Sequence, residues 1–457
     1  MPHRHIVAAL VAALSVSACQ SLPDQAPPSL ATPAAYPLSD ARDQANAADQ
    51  DWRSVFRDAR LRALVDLALA ENRDLRAALL DADAAKAQLR IQRASFLPQI
   101  QAAGGYARGG VAGPSEQASA NLSMTAFEID LFGRLRAQSA SAFSSYLAAE
   151  EGARAARITV IATVADAYLA ERAAAERLAL AATTSRDWNI SLERTEQLRA
   201  AGMASDLDLV QAQAQAQGGK ADVDGALRAH QMALNALMLA VGAPTPDDLP
   251  APMALADQPV LAELPAGLPA QLLERRPDVR QAEQRLEAAK ADVRAARAAF
   301  FPQLSLTGQT GYASAELDDL FTGASRSWSF APQLTLPIFQ GGRLRGQHAL
   351  AQARGQAALA TYEKAIQTAF REVADGLAGR LTFTQQISAQ QAAVGAARRR
   401  AELSDQRFRA GLDSRLELLD AQRSLYAAQQ ALVQLQQERA SSGVNLYRAL
   451  GGGLPRS

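Results

Sequence analysis

This 457-residue sequence has only four histidines and one cysteine, and their spacing decides what chemistry is open to them. Of four histidines, His3 and His5 lie at the extreme N-terminus, while His230 and His348 stand far apart. No Cys/His cluster, nucleophile motif or phosphate-cradling glycine loop occurs. No enzymatic activity, cofactor or metal ion is therefore expected, and both histidines read as buried or solvated helix residues. Met203, Met232 and Met238 form no metal-relaying cluster and read as packing residues.

The one reactive group in a telling place is Cys19, the only cysteine. His3, Arg4 and His5 make a polar, basic start, an apolar run follows from Ile6 to Val16, and small residues come next, which is the order of a secretory signal at 1–18. The run is too short to span a bilayer. Val16-Ser17-Ala18-Cys19 resembles a bacterial lipobox, in which the cysteine becomes the lipidated first residue. That resemblance implies several acyl chains on Cys19, a lasting anchor where one chain would be marginal. Gln20, rather than Asp, argues against retention at the inner membrane. Outer-membrane attachment with most of the chain in the periplasm is expected, and no internal disulfide is possible.

Lys+Arg and Asp+Glu both number 47, so no charge excess points to nucleic acid or another polyanion. A hydrophobic content of 48% is ample for a packed core.

The elements that must position any functional residue are written twice. Ala85-Lys86-Ala87 leading to Phe96-Leu97-Pro98-Gln99 recurs as Ala289-Lys290-Ala291 leading to Phe300-Phe301-Pro302-Gln303, an offset of 204 between Lys86 and Lys290. Gly133-Arg134-Leu135-Arg136 recurs as Gly342-Arg343-Leu344-Arg345, an offset of 209 that also relates Ala201-Gly202 to Ala410-Gly411 and Gly242 to Gly451. The repeats are assigned to 51–242 and 270–451. Between them, 243–269 carries seven prolines and reads as a linker. Residues 19–50, rich in Pro and Ala, read as a tether, and 452–457 as a tail.

Within each repeat a proline-free run, about 133–200 and about 342–410, predicts one helix of roughly 100 Å. Ile158, Ile161, Ala165 and Tyr168 mark one face of the first. Downstream, Leu418, Ala421, Leu425, Ala428, Leu432 and Leu435 make a heptad seam, which the first repeat keeps with smaller residues at Leu209, Ala212, Ala216, Gly219, Val223 and Ala226. Helical hairpins turning near Gly202 and Gly411 follow. An ordinary coiled-coil rod fits these residues equally well.

Between the short and long helices of each repeat, polar and apolar residues alternate. Ser119, Asn121, Ser123 and Thr125 interleave with Ala120, Leu122, Met124 and Ala126; Ser327, Ser329, Gln333 and Thr335 interleave with Trp328, Phe330, Leu334 and Leu336. Strands are expected at about 99–107, 118–130, 303–313 and 326–338. Their length and two-faced pattern fit transmembrane strands as well as a half-buried sheet. Four strands cannot close a barrel in lipid, so the transmembrane reading requires several chains.

The sequence resembles the TolC-like outer-membrane efflux family, in the lipoprotein (OprM/NodT-like) branch that serves resistance-nodulation-division pumps. The resemblance rests on Glu274-Arg275-Arg276-Pro277-Asp278-Val279-Arg280, Ala296-Arg297-Ala298-Ala299-Phe300-Phe301-Pro302, Arg407-Phe408-Arg409-Ala410-Gly411 with Leu419-Asp420-Ala421-Gln422-Arg423, and Val444-Asn445-Leu446-Tyr447-Arg448-Ala449-Leu450-Gly451-Gly452-Gly453. It implies a mixed α and β membrane fold: long helical hairpins forming a periplasmic tunnel, and four strands per chain completing a twelve-stranded barrel in a homotrimer. It implies a passive exit duct for drugs or other small toxic compounds, partnered by a periplasmic adaptor and an inner-membrane pump, with no cofactor. It carries a periplasmic gate onto Leu416, Asp420 and Arg423, which stand at i, i+4 and i+7 on one helix face. Adaptor contact is expected at the turns Gly202-Met203-Ala204-Ser205 and Gly411-Leu412-Asp413-Ser414, whose small residues permit close approach. The alternatives are an exit duct for proteins or metal ions and, more distantly, a periplasmic coiled-coil scaffold.

Overall fold

The computed structural model describes residues 51–109, 115–257, 259–261 and 275–453. The segments read as signal, lipidated Cys19 and tether lie outside the described residues.

The described residues begin with three helices, α1 (Trp52–Val55), α2 (Ala59–Glu71) and α3 (Arg73–Ala94), followed by a hairpin of β1 (Ile100–Gly109) and β2 (Ser115–Ile129). Then come α4 (Arg134–Ala200) and α5 (Asp206–Val241). The second repeat gives α6 (Pro277–Ala298), β3 (Gln303–Ser314), β4 (Arg326–Thr335), α7 (Arg343–Arg409) and α8 (Arg415–Ala449). Helices α3 and α6 are each 22 residues long and α4 and α7 each 67. Both long helices start after a glycine in the left-handed region, Gly133 and Gly342.

Helices of this length need apolar partners along their course, because propensity alone does not hold them. α4 packs against α3, α5, α6 and α8, and α7 against α6 and α8. Ile158, Ile161, Ala165 and Tyr168 are all buried on α4. The small residues of the α5 seam have a specific cause in Trp188 of α4: a Cβ on Gly219 would lie 2.8 Å from its ring. Trp188 in turn meets Tyr426 of α8 edge-on, with ring centroids 5.7 Å apart.

A buried carboxylate organises the N-terminal helices around this core. Asp58 is fully buried; it accepts from the backbone N–H of Arg60 at 2.8 Å as the N-cap of α2, from the Tyr168 hydroxyl at 2.5 Å and from the Met253 N–H at 3.0 Å. One side chain thereby fixes α2, α4 and the linker, with the hydrogen bonds that a buried charge requires.

The four strands form one antiparallel sheet in the order β1-β2-β3-β4. Register places Ile100, Ala102 and Tyr106 of β1 opposite Met124, Leu122 and Ala118 of β2. Leu304 and Leu306 of β3 stand opposite Leu334 and Pro332 of β4. These residues share one apolar face, while Gln101, Ser119, Asn121, Ser123, Gln309, Ser329 and Gln333 lie on the other. Two details depart from simple alternation. A bulge between Met124 and Phe127 puts one extra residue into β2, with Ala126 at φ 49°, and thereby returns Phe127 and Ile129 to the apolar face opposite Leu306 and Leu304. Ala126 therefore does not continue the apolar set. β4 stops at Thr335, short of the expected 338, where Pro337 has no N–H for a ladder and Gly341 and Gly342 turn the chain into α7.

Candidate functional site

The two hairpin tips are built alike. After α4, the Met203 N–H reaches back to the Leu198 carbonyl at 2.8 Å; after α7, the Leu412 N–H reaches the Arg407 carbonyl at 2.9 Å. Both are Schellman closures with a left-handed glycine, Gly202 at φ 74° and Gly411 at φ 70°. The next residues, Met203 and Leu412, are 70% and 68% exposed. Ser205 and Ser414 then cap α5 and α8 through their side chains.

Charges make the tips differ. At the first tip the Asp208 carboxylate completes a capping box by accepting from the Ser205 N–H at 3.0 Å, and its hydrogen bonds with Ser205 hold its pKa below the ordinary aspartate range. At the second tip Ser414 still accepts from the Glu417 N–H at 3.3 Å. The Glu417 carboxylate, however, accepts from Arg400 of α7 at 2.8 Å, and the same Nη2 of Arg400 donates to Asp420 at 2.6 Å. Nearer the turn, Arg407 donates to Asp413 at 2.9 Å and lowers its pKa.

Leu416, 63% exposed, Asp420 and Arg423 project from the same side of α8. Within the chain Asp420 pairs with Arg400 rather than Arg423, and Arg423 makes no ion pair among the described residues. A second arginine ties the tips together: buried Arg415, in the first turn of α8, donates to Thr195 Oγ1 of α4 at 2.7 Å and lies 5.6 Å from the Phe408 ring. Its Nε has no partner, and burial lowers its pKa while Asp208 acts in the opposite direction. Helical spacing does not reach Arg400 or Arg415, although the offset of 209 aligns them with Ser191 and Asp206 and so marks positive charges present in the second repeat only.

The two remaining histidines have separate surroundings. His230 Nε2 is 2.9 Å from Glu171 Oε1, and His348 meets Phe300 edge-on. Among the described residues no three His, Cys, Asp or Glu side chains are placed to hold a metal ion, and no helix is long and apolar enough to cross a membrane.

Comparison with known proteins bears directly on this duplicated architecture. The family model for the outer membrane efflux protein matches residues 64–243 and again 268–452. The chain belongs to the outer membrane efflux protein family. Its relatives include outer membrane protein OprJ of Pseudomonas aeruginosa, 44% identical over 98% of this chain and 95% of the relative. The probable efflux pump outer membrane protein TtgC of Pseudomonas putida is 40% identical, over 98% of this chain and 96% of the relative. Among solved structures, the open state of the Neisseria gonorrhoeae MtrE outer membrane channel is 36% identical and superposes with a TM-score of 0.87, covering 95% of this chain and 98% of that one. As an outer membrane efflux protein, the chain is assigned to the outer membrane, with a role in transport. Its four-stranded sheet and long hairpins are the elements from which such a channel is made.

Proposed function

We propose that three copies of this outer membrane efflux protein assemble into the exit duct of a tripartite pump, conducting drugs or other small toxic compounds outward. The observation that carries this reading is the sheet: four strands with one apolar and one polar face, and with β1 and β4 unpaired on their outer edges among the described residues. Open edges are not viable in lipid, and four strands are too few to close. Three chains supply twelve strands, with the apolar face toward lipid and the polar face lining water. Helices α4, α5, α7 and α8 would continue the wall into the periplasm, and Cys19 would carry the lipid anchor.

In this arrangement the tips face the periplasmic adaptor and, beyond it, an inner-membrane resistance-nodulation-division pump. Leu416, Asp420 and Arg423 would close the tunnel, with Asp420 repeated around the axis as a carboxylate ring. Purified full-length protein should have the mass of a trimer and should conduct ions in planar bilayers; a monodisperse, non-conducting monomer would overturn the duct. Asp420→Ala combined with Arg423→Ala should raise single-channel conductance, whereas unchanged conductance would remove these residues as the gate. Adaptor contact is best tested at Met203 and Leu412, because any side chain at Gly202 or Gly411 would also strain a left-handed backbone. Met203→Asp with Leu412→Asp should abolish efflux at normal trimer yield, and full efflux would count against contact there.

A further inference from the structure

We propose that Arg400 is the positioning residue of the tunnel gate: one guanidinium reaching from α7 holds Glu417 and Asp420 of α8 together and covers their charge. The inference rests on the reading that the exposed face of α8 closes the tunnel. Arg400 Nη2 lies 2.8 Å from Glu417 Oε1 and 2.6 Å from Asp420 Oδ2, so one donor atom bridges two carboxylates three residues apart. Such charge-assisted bonds set side-chain geometry even where their contribution to stability is small, as it is for exposed pairs.

Glu417 supplies the second argument. It occupies the position that Asp208 holds in the first repeat, where the carboxylate turns back to cap its own helix through Ser205. At the second tip the equivalent carboxylate is turned outward to Arg400 instead. Arg400, Asp420 and Arg423 align with Ser191, Gln211 and Ala214, so the first repeat has neither the clamp nor an acid at the Asp420 position. A surface charge that served helix stability alone would have no need to be confined to the hairpin that carries the gate.

The charge count gives the consequence. With Arg400 present, Arg400 and Arg423 balance the two carboxylates on each chain; without Arg400 the two acids face Arg423 alone, and the constriction gains one negative charge per chain. Arg400→Gln should therefore raise single-channel conductance and, under a KCl gradient, shift the reversal potential toward the potassium equilibrium potential. Arg400→Lys retains the charge on a differently shaped head group and should keep the parent reversal potential with a smaller rise in conductance. Arg399→Gln is the control, since Arg399 pairs with Glu402 at 3.4 Å and touches neither gate acid; it should leave the reversal potential in place.

All variants are measured as purified full-length protein that retains its assembly on unboiled gels, and Arg400→Lys keeps the test open if Arg400→Gln fails to assemble. An Arg400→Gln reversal potential equal to the parent's, or matched by Arg399→Gln, would overturn the proposal. If Asp420→Ala with Arg423→Ala still alters conductance in that case, the gate stands and Arg400 alone has been misassigned. If neither set has an effect, the gate reading itself falls.

Discussion

Asn72 and Arg276 show how one structural task is solved with different chemistry in the two repeats. Asn72 accepts from the Leu75 N–H at the start of α3 and donates to the Ala240 carbonyl at 2.7 Å near the end of α5. The offset of 204 puts Arg276 in its place, where it donates to the Ala449 carbonyl at 3.0 Å near the end of α8. Arg276 also pairs with Asp278 at 2.6 Å and Glu372 of α7 at 2.8 Å. A cation near a helix C-terminus is favoured by the helix dipole, and the two acids hold the arginine charged despite burial. Replacing Asn72 by Ala should cost about 1–2 kcal/mol through the lost caps. Replacing Arg276 by Ala strands two carboxylates; an unscreened buried pair would lose about 3–5 kcal/mol, and the partial exposure of Asp278 brings the expectation to roughly 3. Thermal unfolding of the detergent-solubilised protein should accordingly place the Arg276→Ala midpoint below that of Asn72→Ala; the reverse order would show that the acids add nothing to the cap.

The β2 bulge is the element-scale counterpart, because it decides which face half a strand presents. Deleting Ala126 would restore one-to-one pairing and leave Phe127 opposite Leu306, whereas deleting Asn121 would move every residue on one side of it to the wrong face. The Ala126 deletion should thus assemble on unboiled gels, and the Asn121 deletion should not. Equal assembly of the two would mean that face assignment does not govern this strand. The same bulge marks a limit of sequence reading. Alternation from Ser119 to Met124 gives both faces correctly, but continued through Thr125 it assigns Ala126 to the apolar side, since alternation carries no sign of an inserted residue until Phe127 breaks the phase. Helices were more legible, because a proline-free run ended by glycine has few competing readings over 67 residues. The tip chemistry was legible only in part. Asp420 is singled out on α8 by family resemblance alone, and its partner Arg400 is 20 residues away across a turn. Helical spacing relates residues on one helix and says nothing about which side chain reaches over from the next.

At the scale of the whole molecule, the reading turns on what each face of the sheet meets. Trp328 and Ser329 are neighbours on β4 and point to opposite sides; in the single chain Trp328 is 77% exposed, a large apolar surface to leave in water. Fully burying such a side chain stabilises by roughly 1.5–3 kcal/mol, so lipid contact removes a penalty that an isolated water-soluble sheet would retain. Because Cys19 is the only native cysteine, a cysteine introduced on β4 reports on its own surroundings once the labelling of the parent chain, which carries Cys19 alone, is subtracted. In intact outer membranes Ser329→Cys should react with a water-soluble maleimide through the lumen, and Trp328→Cys should be protected until detergent is added. Protection of both would mean a sheet covered on each face by protein, and the barrel would have to be abandoned. Rapid labelling of both would mean water on each face, with the same result. Only opposite behaviour at these adjacent positions fits a strand with lipid on one side and a water-filled channel on the other.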